Sequence, residues 1–410
     1  MSASTRRPIA IALAACLLSS GAPNLAFAGS NTVGEAARPA ERAAFTAADL
    51  AVARPAGLKG AVRVAGDDPK AFQNLIDEAP RAGEPWLVLS GGGEDGAFAA
   101  GLLAGWSAAG DRPEFGVITG VSTGALIAPF AFIGRAGDAP LREAYTTITA
   151  ADVFEFGGSD VALTDTWPLK RRIDKAVTPQ LLRAVAAEHA RGRRLLVATT
   201  EIDSGRPTLW DMGAIAAAAG PKGSDPKALG LFRAVVLASS AVPGIFPPVE
   251  IAATLPDGRS IQEMHADGGT TGPFYLAPKP ALTAALTGAQ LVRIPARTVY
   301  LVVNNSATPS FDMARRSTLS VLGRTMSAAI KAQLQDALAL AGAFSRREGL
   351  DLRVAEIDGR FKAVSPGPFD QRYMQALYAH AETLGRDGAA FATAAGSAAQ
   401  GETPQTFARR

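Results

Sequence analysis

One repeated handover narrows the fold more than any other feature: a short apolar run stops at glycine, serine or asparagine, and a helical pattern takes over. Trp86 to Leu89, Gly116 to Thr119, Arg194 to Thr200 and Thr298 to Asn304 read as buried strands rich in Val, Leu and Ile. Ala97 to Ala109, Ala125 to Ile133, Pro179 to Ala190 and Leu229 to Ser239 read as the helices between them. Strands alternating with helices predict an α/β fold with a mostly parallel central sheet and helices on both faces. With 410 residues, 48% of them hydrophobic, the chain can bury such a core.

The rest of the chain sorts around that pattern. Ser317 to Arg346 predicts one or two packed helices and Asp370 to Leu384 another. The folded domain is expected over 68–389, with its motifs in 85–305 and a helical part in 306–389. Residues 29–67, rich in Ala, Arg, Pro and Gly, predict a linker outside the fold with one short helix around Ala40 to Val52, and 390–410 a loose tail.

The first residues carry a basic start at Arg6 and Arg7, an apolar stretch from Ile9 to Leu18, then Gly21 and Pro23. This is the layout of a secretory signal peptide, and the stretch is too short to span a membrane. Ala26 and Ala28 fit cleavage before Gly29, removing 1–28. Leu13 to Cys16 fits a bacterial lipoprotein box instead, removing 1–15 and lipidating Cys16. Both routes predict export, to a periplasmic, secreted or lipid-anchored place in a bacterial envelope. Cys16 is the only cysteine, so no internal disulfide and no cysteine metal site can form.

A net charge of +3 without long charged blocks argues against nucleic acid as a partner. Short basic clusters at Lys170 to Arg172, Arg191 to Arg194, Arg315 to Arg316 and Arg346 to Arg347 read as solvated surface or as a weak contact with a membrane surface.

Three motifs carry chemistry. In "LVLSGGGEDGAFAAG", Gly91, Gly93 and Gly96 match the dinucleotide fingerprint G-x-G-x-x-G. That fingerprint needs an acid ending the next strand about 20 residues on. Glu114 instead precedes "FGVITG", and Glu94 and Asp95 inside the loop would repel a phosphate unless turned outward. The loop's backbone donors at a helix start suit an oxyanion equally well. "GVSTG", Gly120 to Gly124, has the G-x-S-x-G form of a nucleophile elbow, with Ser122 at its tip. Pro129 is expected to bend the helix that follows. "HADGG", His265 to Gly269, reads as a turn or as the source of a base.

Only His189, His265 and His380 could supply an imidazole. His189 reads as a charge at a helix C-terminus and His380 as a surface or packed residue. His265 stands two residues from Asp267, and in an extended segment the two share a face, so it could tune the aspartate. Nothing groups His and carboxylates at ligand spacing, so neither metal nor cofactor is expected.

Taken in order, "GGGEDGAFAAG", "GVSTG" and "DGG" resemble the patatin-like phospholipase family, and "VATTEIDSGRPTLWDMGAIA" and "LASSAVPGIFPPVEI" agree with it. The resemblance implies a three-layer α/β/α fold and a serine-aspartate dyad that hydrolyses acyl esters of lipids without a catalytic histidine. Carried onto this chain it implies Ser122 as nucleophile, Asp267 as base, and an oxyanion hole at Gly91, Gly92 and Gly93. Gly96, Gly120, Gly124, Gly268 and Gly269 are the supporting motif glycines. Relatives commonly carry Arg or Lys where this chain has Asp95, which weakens a preference for phosphate headgroups. The rival readings are a Ser-His-Asp hydrolase using His380 and an inactive lipid-binding protein of the envelope. The motifs say nothing of oligomeric state.

Overall fold

The apolar runs of the sequence become neighbours in one sheet. In a computed structural model, residues 42–393 are described apart from 59, 157–161, 309, 310, 312, 315 and 317. The signal-peptide region and Cys16 lie outside the described residues, as does most of the expected tail.

In chain order the strands are β1 (Arg54–Pro55), β2 (Arg63–Ala65), β3 (Trp86–Leu89), β4 (Val117–Gly120), β5 (Glu155–Phe156), β6 (Thr164–Asp165) and β7 (Arg194–Glu201). They continue with β8 (Arg206–Asp211), β9 (Val249–Thr254), β10 (Ser260–Asp267), β11 (Thr298–Val303), β12 (Asp351–Glu356) and β13 (Ala392–Thr393). The helices are α1 (Ala47–Val52), α2 (Pro69–Asp77), α3 (Gly96–Ala109), α4 (Thr123–Phe132), α5 (Asp138–Thr146) and α6 (Trp167–Ala176). After them come α7 (Pro179–Ala190), α8 (Met212–Ala218), α9 (Pro226–Ser239), α10 (Lys279–Ala284), α11 (Thr318–Glu348) and α12 (Gln371–Arg386).

Strands β7, β4, β3, β11 and β12 run parallel at the centre of the main sheet. The flanks are antiparallel: β8 and β10 on β7, β9 on β10, β1 on β9, β2 on β8, and β13 on β12. The expected mostly parallel sheet is therefore a mixed one with a parallel centre. Antiparallel flanks follow from short connections, since β7 to β8 and β9 to β10 turn back within a few residues, too few for a crossover helix.

Alternation along the central strands divides the core in two. Leu87, Leu89, Ile118, Leu195 and Val197 face one cluster, whose helical partners include α3, α4, α7, α9 and α12. Trp86, Val88, Val117 and Leu196 face the other, which takes Phe72 and Ile76 from α2, Leu282 from α10 and Phe344 from α11. Helices thus cover both faces of the sheet, giving the expected three-layer α/β/α fold. Among the described residues no helix is long and apolar enough to cross a membrane.

Three expected boundaries change. The later part of the predicted linker is folded: α1 falls within the expected short helix, while β1 pairs with β9 and β2 with β8. The C-terminal part is not only helical, because β12 lies between α11 and α12 and pairs with β11. Ala392 and Thr393, expected in the tail, pair with β12.

Strand β2 is pinned by charge. Arg63 on β2 pairs with Glu263 on β10, one of its nitrogens donating to Oε1 at 2.7 Å, and Glu263 has no solvent exposure. Burial alone would raise the Glu263 pKa, but Arg63 and then His265 outweigh it and pull it down to about 2. Removing one partner of a buried pair strands the other charge. Arg63→Ala is expected to cost about 3 kcal/mol at pH 7, measured by urea unfolding. A loss below about 0.5 kcal/mol would show the pair to be dispensable.

Candidate active site

The geometry of the site starts from how β7 is paired. Its residues Arg194 to Val197 pair with β4, and Thr199 to Glu201 pair with β10. Strand β8 pairs with β7 from Leu196 to Glu201, overlapping both. Since a strand has two edges, β4 and β10 share the edge that β8 does not use. They approach from opposite directions and stop on either side of Ala198. Gly120 sits opposite Val197 and Asp267 opposite Thr199, so the chain ends that carry Ser122 and Asp267 meet at one point.

At that point β4 turns sharply into α4. Ser122 has φ 54° and ψ −124°, a region that costs a non-glycine residue about 1–3 kcal/mol. The turn is held by Gly124 N–H to the Val121 carbonyl at 2.8 Å and Ala125 N–H to the Ser122 carbonyl at 2.8 Å. Gly124 cannot be larger, because a Cβ there would stand 2.4 Å from the Leu89 carbonyl oxygen. Gly120 and Gly268 are likewise packed against backbone, and Gly96 against Thr123 and Tyr145. Pro129 lies inside α4, which continues to Phe132. Ser122 is 9% exposed.

A serine pair that motif reading does not single out holds the elbow. The Ser122 N–H donates to Ser239 Oγ at 3.0 Å, and Ser239 Oγ donates to the Ala198 carbonyl at 2.7 Å. Ser240 Oγ donates to the Ser122 carbonyl at 3.3 Å. The next residue closes the link to the other strand, since Asp267 N–H donates to the Ala241 carbonyl at 2.9 Å. Ser239, Ser240 and Ala241 therefore tie the backbone at Ser122 to that at Asp267.

Asp267 is buried and oriented from one side. Its Oδ1 accepts from Gly269 N–H at 2.7 Å, while Oδ2 is buried without a hydrogen-bond partner. Burial pushes the carboxyl up to about 6, against the opposing pull of the Ser122 hydroxyl and the Gly269 N–H. The hydroxyl is thus near enough to act on the carboxylate although it closes no hydrogen bond to Oδ2. Such contacts commonly tighten only when substrate is bound.

The glycine loop lies beside this pair. Gly91 does not fit its expected role, because its N–H already donates to the Pro273 carbonyl at 2.9 Å. Gly92 and Gly93 precede α3, and among the described residues no acceptor takes their N–H groups. A Cβ on Gly92 would stand 1.8 Å from the Asn304 carbonyl oxygen. Asn304 also caps the helix start: Oδ1 accepts from Ala99 N–H at 3.1 Å, and Nδ2 donates to the Ser90 carbonyl at 2.9 Å.

Asp95 serves another purpose than capping. It accepts from Tyr373 on α12 at 2.7 Å, and burial pushes its carboxyl up to about 7. Glu94 is raised as well, first by burial. Glu114 pairs with Arg81 and Arg191 at the surface, away from any role on a ribose.

The three histidines are occupied elsewhere. His265 Nδ1 faces Thr199 Oγ1 at 3.0 Å and Nε2 faces Glu263 at 3.2 Å, so its ring is not turned to Asp267 and the expected tuning contact is absent. His189 does stand in the last turn of α7, but burial lowers its pKa despite Asp211 at 3.7 Å, which weakens the expected helix-end charge. His380 packs on the Phe361 ring, centroids 5.3 Å apart. Among the described residues no three His, Cys, Asp or Glu side chains group as a metal site.

Residues 87–278, which include all three motifs, match the family model described as Patatin-like phospholipase. The chain contains a patatin-like phospholipase domain. The family implies a lipid acyl hydrolase. Among solved structures the chain is similar to VipD from Legionella pneumophila, at 12% identity and a TM-score of 0.34, over 76% of this chain and 67% of that one. No curated protein matches the chain at a significant level.

Two measurements follow from the patatin-like geometry. A base must be ionised to accept a proton, so kcat/KM is expected to rise as pH increases through about 6, where Asp267 loses its proton, and then level. A profile flat from pH 5 to 8 would remove Asp267 from that role. Ser239→Ala withdraws the acceptor from the Ser122 N–H and is expected to lower kcat by about 10- to 100-fold with KM little changed. A kcat within twofold of wild type would mean the elbow holds its shape without it.

Proposed function

We propose that the protein is an exported, serine-dependent lipid acyl hydrolase of the carboxylesterase or phospholipase A type, working through Ser122 and Asp267. The observation that carries this reading is the one-sided hold on Asp267. Gly269 occupies Oδ1, Oδ2 is buried without a hydrogen-bond partner, and the Ser122 hydroxyl acts on the same carboxyl.

Ser122 Oγ attacks the ester carbonyl carbon while Asp267 takes the hydroxyl proton on Oδ2. The carbonyl oxygen becomes an oxyanion, and the N–H groups of Gly92 and Gly93, which no described residue accepts, are the donors available to it. Asp267 then returns the proton to the departing alkoxide. Water, with Asp267 again as base, releases the acid from Ser122. No step calls on an imidazole or a metal ion.

A preference for phosphate headgroups is not part of this reading. Where relatives commonly carry a basic residue, this chain has Asp95, next to Glu94, and nothing cationic in the loop to meet a phosphate. Export is supported by the basic start, apolar stretch and small residues of the first 28 positions, and contact with a membrane surface by the short basic clusters.

Ser122→Ala and Asp267→Asn are each expected to lower hydrolysis of nitrophenyl esters at least about 10³-fold. Fluorophosphonate labelling is expected to disappear in Ser122→Ala. His380→Ala and added chelator are expected to leave the rate unchanged. Loss of activity in His380→Ala, or in chelator, would overturn the dyad.

A further inference from the structure

A cavity of about 140 Å³ lies against residues that adjoin both members of the dyad. Val121, which precedes Ser122, and Gly268, which follows Asp267, form part of its wall together with Ala198, the residue between the two strand ends. Leu282 of α10 and Ala337 and Leu340 of α11 add further apolar wall. Lys279 and Asp336, both exposed, stand at its rim. The loop from Thr271 to Tyr275 lines it as well, and the same loop accepts the Gly91 N–H, so cavity and oxyanion loop share a border.

We propose that this cavity receives the acyl chain and restricts the substrate to short and medium acyl esters, with about six carbons beyond the carbonyl. The inference rests on the acyl hydrolase reading given above. An apolar cavity of about 150 Å³ holds a six-carbon ring, which sets the length. Each methylene taken from water into such a wall is worth about fourfold in binding. A longer chain overfills the cavity and is pressed against the charged rim at Lys279 and Asp336, which costs binding. During turnover the acyl group stays bonded to Ser122 Oγ, with its tail in the cavity, until water releases it.

The test is a series of nitrophenyl esters from acetyl to palmitoyl, hydrolysed by the full chain. We expect kcat/KM to climb about fourfold per methylene from acetyl to hexanoyl and to stop rising by octanoyl. The palmitoyl ester should fall at least tenfold below the peak. Ala337→Phe, which fills the cavity, should lower the hexanoyl-to-acetyl ratio at least tenfold, and Leu340→Ala should move the peak to longer chains. The ratio is read within one protein sample and so does not depend on how much of a variant folds. A peak at palmitoyl, or a ratio unmoved in both variants, with hydrolysis still lost in Ser122→Ala, overturns the cavity's role and leaves the hydrolase reading standing. No hydrolysis at any length and no fluorophosphonate labelling overturns both.

Discussion

Strand β7 lends one edge to two partners, and the site exists because neither partner crosses Ala198. Strand β4 arrives parallel and β10 antiparallel, so two chain ends point at each other within one layer of the sheet. An α/β sheet ordinarily offers a row of strand ends that all point the same way. Here Asp267 comes from a strand running against the one that leads to Ser122. The Ala198 carbonyl, which faces the break, is taken by Ser239, and that serine also fixes the Ser122 backbone. A sheet hydrogen bond is thus replaced by a side chain that orients Ser122.

A second tie comes from the far side of the sheet centre. Asn304, just beyond β11, is fully buried and bonded to Ser90 and to the first turn of α3. It does for α3 what an N-cap side chain usually does from within the helix's own sequence. Asp95, which stands in the capping position, is therefore free to bind Tyr373, and this fastens the loop to α12. The Gly92 and Gly93 donors lie between these attachments, held by groups distant in sequence.

The parallel centre was legible because each of its runs is short, apolar and closed by a small residue. The limits expected for β3 and α7 coincide with those observed, and the other central elements differ by a few residues. Ser122 and Asp267 could be picked out by motif, and the structure brings them together. The antiparallel flank was harder to read. Strands β1 and β2 have two and three residues, too few to carry a period, and they fold only because β9 and β8 offer an edge. Spacing alone also misled at two places. It grouped Gly91 with its neighbours, whereas Pro273 takes its N–H, and it turned His265 toward Asp267 along their shared face, whereas Thr199 and Glu263 hold the ring. In each case the deciding partner is remote in the chain.

The break at Ala198 also bears on how the chain matures. Ser122 belongs to the parallel centre, while Asp267 arrives on the β9–β10 hairpin, which meets β7 over three residues only. A partly folded molecule with its centre formed and the hairpin undocked holds a serine with no proton acceptor. On the dyad proposed above such a molecule would be inert toward esters, so activity would report the seating of this one hairpin.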